Sequence, residues 1–338
     1  MEPPGRLRPH SPPASQYWGL IAVNRRAGPR TVIHISLFGQ LSVTQRVGET
    51  EWQPIEITGR PGSLLAYLAL ARGRFFQRSE LLLTLWSDQG DALASAGAFN
   101  TTLWRLRKAL ERPTGQAEIV ICDRGGAIGL PHDAPLELDI DAFTGLIAPA
   151  LAKPLEQLDA ADLAALRRGV GLYHDDILAG STDAWALRQR ELHRRMLLNA
   201  LARLMQRSAL AQDHAGAIRY AQDILDRDPL REDVHRELMR LYLANGQRAM
   251  ALRQFEACRA ALRKELAIQP MRETMAVYQR IAESAVGHDD SAGYALLAPA
   301  SRDDSAARRL VENARRHLAL ADAQLQQSLP FFDTPPPH

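Results

Sequence analysis

Hydrophobic and polar positions change period three times along this chain. Val32-Ile-His-Ile-Ser-Leu-Phe38, Leu41-Ser-Val-Thr44 and Pro54-Ile-Glu-Ile-Thr58 are short alternating runs, which predict a small N-terminal antiparallel sheet. The spacing then turns helical. Leu64, Leu65, Leu68 and Ala69 predict a helix over Ser63–Ala71, ended by Gly73. Ser79 is placed to cap a second helix carrying Leu81, Leu82, Leu85 and Trp86. A polar loop from Asp88 to Asp91 precedes a third helix, Leu93 to Glu111, closed by Pro113. Its residues Phe99, Leu103, Leu106 and Leu110 share one face. Alternation returns in Glu118–Cys122 and Ala127–Leu130, joined by Asp123-Arg-Gly-Gly126, the pattern of a β-hairpin whose glycine pair supplies positive φ.

Sheet, three helices and hairpin are the element order of an α+β winged helix-turn-helix of the response-regulator output type. In that fold the third helix enters the major groove and the hairpin tip reaches the adjacent minor groove. On the outward face of the third helix stand Thr101, Trp104 and Lys108, flanked by Asn100 and Arg105. Asn100 and Thr101 are candidates for base edges. Arg105, Arg107 and Lys108 are candidates for phosphates or guanine edges. Arg107 lies nearer the core boundary, with an acidic neighbour as its alternative partner. Trp104 suits a sugar or a thymine methyl, and equally a protein contact. Arg124 at the hairpin tip reads as a minor-groove contact or a solvated turn residue. Arg72, Arg74 and Arg78 flank the loop between the first two helices and suit phosphates or solvent.

From about Asp159 onward the pattern is helical throughout. Asp213-His-Ala-Gly-Ala-Ile-Arg-Tyr-Ala221 aligns with Gln247-Arg-Ala-Met-Ala-Leu-Arg-Gln-Phe255, a tetratricopeptide-like spacing of about 34 residues. Alanines in these helices allow close packing of a helical hairpin. Another helix, Asp183 to Ala211, carries Trp185, Leu187, Leu192, Leu197, Leu201 and Leu204 as its expected core face. Such repeats bury their faces only by stacking, so an all-α helical-repeat domain is expected. The expected domains are 1–30, a disordered arm; 31–135, the winged domain; 136–284, the helical repeats; 285–301, a linker; 302–329, an amphipathic helix; and 330–338, a loose tail. The stripe of the amphipathic helix is Leu310, Val311, Ala314, Leu318, Ala321 and Leu325.

Composition adds limits. The chain has 338 residues, 24% charged and 46% hydrophobic, with a net charge of +2, ordinary for a globular protein of two or three domains. Between Thr31 and Gly145, ten Lys/Arg face thirteen Asp/Glu, a local net of −3, so any DNA affinity must come from clustered cations. Cys122 and Cys258, the chain's two cysteines, offer no disulfide framework and fit a reducing cytoplasm. No run has the length of a membrane span, and the first thirty residues lack a secretory apolar core. His174-Asp175-Asp176 is better read as a helix end than as a metal site. Glu137, Asp139 and Asp141 alternate as on a solvated strand edge, and His193 and His214 read as surface helix residues. No catalytic constellation stands out, so no enzyme, cofactor or metal is expected.

Seven stretches resemble a known family. Gly59-Arg-Pro-Gly-Ser-Leu-Leu-Ala-Tyr-Leu-Ala-Leu70, Arg78-Ser-Glu-Leu-Leu-Leu-Thr-Leu-Trp86 and Leu103-Trp-Arg-Leu-Arg-Lys-Ala-Leu110 resemble the DNA-binding half of Streptomyces-antibiotic-regulatory-protein (SARP) type activators. Leu172-Tyr-His-Asp-Asp-Ile-Leu-Ala-Gly180, Asp228-Pro-Leu-Arg-Glu-Asp-Val-His-Arg-Glu-Leu-Met239 and Ala251-Leu-Arg-Gln-Phe255 resemble the bacterial transcriptional activation domain that follows, and Leu138-Asp-Ile-Asp-Ala-Phe143 resembles their junction. The family's third helix often opens Arg-Asn-Ser-Leu-Arg, where this chain has Ala96-Gly97-Ala98-Phe99-Asn100, and Trp104 replaces a small residue. The resemblance implies a cytoplasmic, nucleoid-associated activator that binds direct repeats in double-stranded promoter DNA as a homodimer and contacts RNA polymerase. The alternative is a protein-interaction scaffold whose winged domain no longer binds DNA.

Overall fold

The computed structural model describes residues 32–47, 51–86, 92–114 and 119–283. The expected N-terminal arm, linker, C-terminal amphipathic helix and tail lie outside them. The chain divides into two compact units, Met1–Arg227 and Asp228–His338.

In the first unit, β1 (Ile33–Ser36), β2 (Ser42–Val47) and β3 (Glu51–Pro54) form an antiparallel meander. A fourth strand, β7 (Leu136–Leu138), joins beside β1 in parallel, giving the order β3-β2-β1-β7. Alternation sets the faces. Ile33 and Ile35 are fully buried, whereas His34 on the other face lies beside Glu137 and edge-on to Trp52.

Helices α1 (Gly59–Leu70), α2 (Arg78–Leu85) and α3 (Ala92–Thr114) follow, with the short strand β4 (Phe75–Phe76) between the first two. Helix α1 starts four residues before the expected Ser63. Gly59, at φ +64°, turns the chain into it, and Pro61 is tolerated because first-turn N–H groups have no intrahelical partner. Helix α2 begins at Arg78 behind Gln77, so Ser79 lies inside the helix rather than capping it. Leu64, Leu65 and Leu68 of α1, Leu81 and Leu85 of α2, and Phe99, Leu106 and Leu110 of α3 are buried. Leu103 is only half-buried, and Thr102 takes the inward position beside Phe99 and Leu106.

The hairpin consists of β5 (Ile121–Cys122) and β6 (Ile128–Gly129), with β6 pairing β4 in the order β4-β6-β5. Its turn is held by the Asp123 carboxylate, which accepts the N–H groups of Gly125 and Ala127 at 2.8 Å each. Of the glycine pair only Gly126 has positive φ, +81°. Gly129 answers a different need: a Cβ there would stand 2.5 Å from the Arg74 carbonyl oxygen.

Helical structure resumes at α4 (Asp139–Leu151), twenty residues earlier than the apolar spacing predicts, and continues through α5 (Ala160–Leu172), α6 (Ala184–Leu210) and α7 (His214–Arg227). Asp159 caps α5 in a reciprocal capping box with Asp162. In α6 the buried face includes Trp185, Leu197, Leu201 and Leu204, while Leu187 and Leu192 of the expected face are exposed. His193 is not a surface residue. It is 5% exposed, donates from Nδ1 to the Gln189 carbonyl at 2.8 Å, and its burial lowers its pKa. His214 is half-buried.

The second unit contains α8 (Glu232–Ala244), α9 (Arg248–Leu266) and α10 (Arg272–Glu283). Val234, Leu238, Phe255, Cys258, Leu262, Val277 and Ile281 are buried there. The buried Glu232 carboxylate accepts the Met271 N–H at 2.6 Å, just ahead of α10. Among the described residues no helix is long and apolar enough to cross a membrane.

Candidate nucleic-acid interface

Helix α3 sorts its residues by side. Phe99 points inward, where Trp86 meets it edge-to-face at 5.5 Å. Asn100, Thr101, Trp104, Arg105 and Lys108 are exposed on the other side. Trp104 is 57% exposed, a large apolar surface left in water, and the Lys108 ammonium lies 4.5 Å from its ring centroid. Arg105 makes no hydrogen bond or ion pair with other described residues. The Thr101 hydroxyl donates back to the Gly97 carbonyl at 3.1 Å, one turn earlier.

Four of the remaining sequence-predicted cations, Arg72, Arg74, Arg78 and Arg107, are engaged within the fold. Arg78 donates to the Asn100 side-chain oxygen at 2.5 Å and lies over the Phe99 ring, tying the start of α2 to α3. Arg74 pairs with Glu80 at 2.6 Å and covers Phe76. Arg72 pairs with Asp141 at 2.6 Å and donates to the Leu136 carbonyl. Arg107, half-buried, donates from Nε to the Val120 carbonyl at 3.1 Å, bracing α3 against the hairpin. One of its partners is therefore a backbone carbonyl ahead of β5. Arg124 is exposed in the hairpin turn. The structure thus presents Trp104, Arg105 and Lys108 together on α3 and Arg124 on the hairpin, while Arg74, Arg78 and Arg107 also position the elements that carry them.

Two positioning residues were not legible in the sequence. Arg60 donates to the Leu85 carbonyl, over the Trp86 ring, and so holds the end of α2 to the start of α1. Asp139, expected on a solvated strand edge, is 4% exposed. Its carboxylate accepts Ser36 Oγ at 2.6 Å and the N–H groups of Leu37, Phe38 and Ile140 at 2.8–3.0 Å. Burial raises its pKa, and these four donors pull the other way. Neither role has a local signal, because the partners stand 25 and about 100 positions away.

His174, Asp175 and Asp176 follow α5. Asp176 accepts the Tyr173 hydroxyl at 2.7 Å and His174 Nδ1 lies 3.2 Å from the Leu172 carbonyl. Among the described residues no three His, Cys, Asp or Glu are grouped to hold a metal.

Residues 138–282 match the family model of the bacterial transcriptional activator domain. They begin at the end of β7 and run through α4 to α10. The chain is similar to SARP-type regulators that carry that domain. Members of this family are transcriptional activators. The chain is 26% identical over 270 residues to the regulatory protein AfsR of Streptomyces griseus, a match that covers 80% of this chain and 25% of AfsR. It therefore spans about a quarter of that relative's length. Among solved structures it is similar to EmbR of Mycobacterium tuberculosis, determined in complex with a low-affinity phosphopeptide. That likeness has a TM-score of 0.57 at 18% identity, over 75% of this chain and 66% of that one. The fold of a small N-terminal sheet region followed by helices agrees with it. The match also explains why helices resume at Asp139, since the activator domain opens there.

Proposed function

We propose that this protein is a SARP-type, sequence-specific DNA-binding transcriptional activator whose N-terminal region works as a winged helix-turn-helix. The observation that carries the reading is the outward face of α3. Asn100, Thr101, Trp104, Arg105 and Lys108 are exposed on it while Phe99, Leu106 and Leu110 anchor the helix. A helix presenting amide, hydroxyl and cationic groups fits a major groove. On this reading Arg124, exposed in the hairpin turn, is the wing residue that approaches the minor groove. Arg74, Arg78 and Arg107 contribute at the margin, each with part of its donor set already committed inside the fold. The activator domain contacts RNA polymerase and supports a homodimer on direct repeats of the promoter, and the protein acts in the cytoplasm at the nucleoid.

A scaffold is the second reading, favoured by the local net charge of −3 and by Trp104, whose exposed ring also suits a protein partner. A gel shift of the full chain against its own gene's upstream region, run across a salt series, separates the two. A salt-sensitive, sequence-dependent complex supports the activator. Its absence at low salt supports the scaffold.

A further inference from the structure

The side-chain amide of Asn100 is held one way round. Its oxygen accepts the Arg78 guanidinium at 2.5 Å, a charge-assisted bond from the start of α2 to the exposed side of α3. A guanidinium has donors and no acceptor, so it fixes which end of the amide is oxygen and which is nitrogen. The guanidinium is itself placed, since its central carbon lies 5.1 Å from the centroid of the fully buried Phe99 ring. Arg78 is half-buried and Asn100 is exposed. The amide nitrogen, Nδ2, makes no hydrogen bond with other described residues.

An asparagine reads adenine by using both ends of its amide, accepting from N6 with Oδ1 while donating to N7 with Nδ2. Arg78 obstructs that contact. An adenine amino group brought to Oδ1 would stand beside the guanidinium N–H groups, donor against donor. Guanine meets no such conflict, because it presents the acceptors N7 and O6 on the edge where adenine presents N7 and an amino donor. Nδ2 can donate to either acceptor, and the guanidinium charge adds attraction to O6. Arg78 and Asn100 together therefore form a donor-only edge. Both side chains are ordered before DNA arrives, so the cost of ordering them is not drawn from the binding free energy.

We infer that Arg78 is a positioning residue that sets base preference through Asn100, turning a side chain suited to adenine into a reader of guanine. The inference rests on the reading of α3 as a groove helix.

Selection of full-length protein on a library of randomised DNA duplexes tests it, with Asn100→Ala, Arg78→Ala, Arg78→Lys and Asn100→Asp as variants. Asn100→Ala identifies the base position that this side chain reads, because preference is lost there. The unaltered protein should favour guanine over adenine at that position by about tenfold, the discrimination of one good base contact. Arg78→Ala should move the same position to adenine, and Arg78→Lys, which keeps a cationic donor, should retain guanine. Asn100→Asp keeps the tie to Arg78 as an ion pair and offers only acceptors outward. It should move the position to cytosine, whose N4 amino group donates, and that arm stands even if Arg78→Ala does not fold. Adenine at the Asn100-dependent position of the unaltered protein would overturn the inference. So would an Arg78→Ala variant that loses affinity evenly across sequences with its preference unchanged, the mark of a phosphate contact. Identical preferences in Asn100→Ala and the unaltered protein would overturn it as well. Failure of the unaltered protein to enrich any duplex would overturn the groove reading itself, and the inference with it.

Discussion

Ser36 Oγ donates to the Asp139 carboxylate at 2.6 Å, joining the end of the first strand to the first helix of the activator domain across 103 positions. The same carboxylate accepts the Leu37 and Phe38 N–H groups as the chain leaves β1. β7 delivers Asp139 there by pairing in parallel with β1, Leu138 opposite Ile35. One buried side chain thereby takes up backbone donors that the sheet leaves without partners.

Asp139→Ala should destabilise the first unit by about 3 kcal/mol, because it strands buried N–H groups. Asp139→Asn should cost less, since its oxygen still accepts from Leu37 and Phe38. Urea unfolding followed by near-ultraviolet circular dichroism measures both. An alanine variant as stable as the unaltered protein would show that water replaces the carboxylate.

His34 gives the fold a pH limit. Burial, with the Arg46 charge, lowers its pKa to about 4 from an ordinary 6.5. The folded state therefore binds fewer protons than the unfolded state between those values. The stability linked to His34 is fully present above about pH 6.5 and is lost as pH falls toward 4, roughly 3 kcal/mol in all. Denaturation midpoints should fall across this window, and fall less in His34→Gln. Equal slopes for the two proteins would assign the loss to other groups.

Arg105 and Arg107 should separate in their effects although two positions apart. Arg105→Ala with Lys108→Ala should weaken DNA binding and reduce the salt slope by about 1 to 2. Arg107→Ala should cost about 1 kcal/mol of stability through its lost bond to the Val120 carbonyl. Binding titrations at several salt concentrations, paired with thermal unfolding, read both. An unchanged slope in the Arg105/Lys108 variant would remove α3 from the groove.

The two thiols should react at very different rates. Cys122 is exposed, whereas Cys258 is buried and its pKa is raised to about 11, so its thiolate is scarce and shielded. A thiol reagent at pH 8 should modify one cysteine per folded chain quickly and the second only in denaturant. Rapid modification of both would mean that the second unit opens readily.

By itself the sequence determined that β1, β2 and the hairpin are strands and that α1, α2 and α3 are helices, but it predicted a strand over Pro54–Thr58 where β3 is Glu51–Pro54. Alternation at Ile33-His34-Ile35 marks a strand with its isoleucines on one face, and Phe99, Leu106 and Leu110 mark the buried side of α3. It also singled out the α3 residues that the structure leaves exposed, because helical periodicity is a local property. Tertiary structure decided which charges are free. Arg78 meets Asn100, Arg107 meets Val120, Arg60 meets Leu85 and Asp139 meets Leu37, all through contacts between elements distant along the chain. It also buried His193 and left Leu187 and Leu192 in solvent, since neighbouring helices set which part of the apolar arc of α6 is covered. Periodicity states which residues share a side. Only the packing of other elements states whether that side meets water, a carbonyl or a carboxylate.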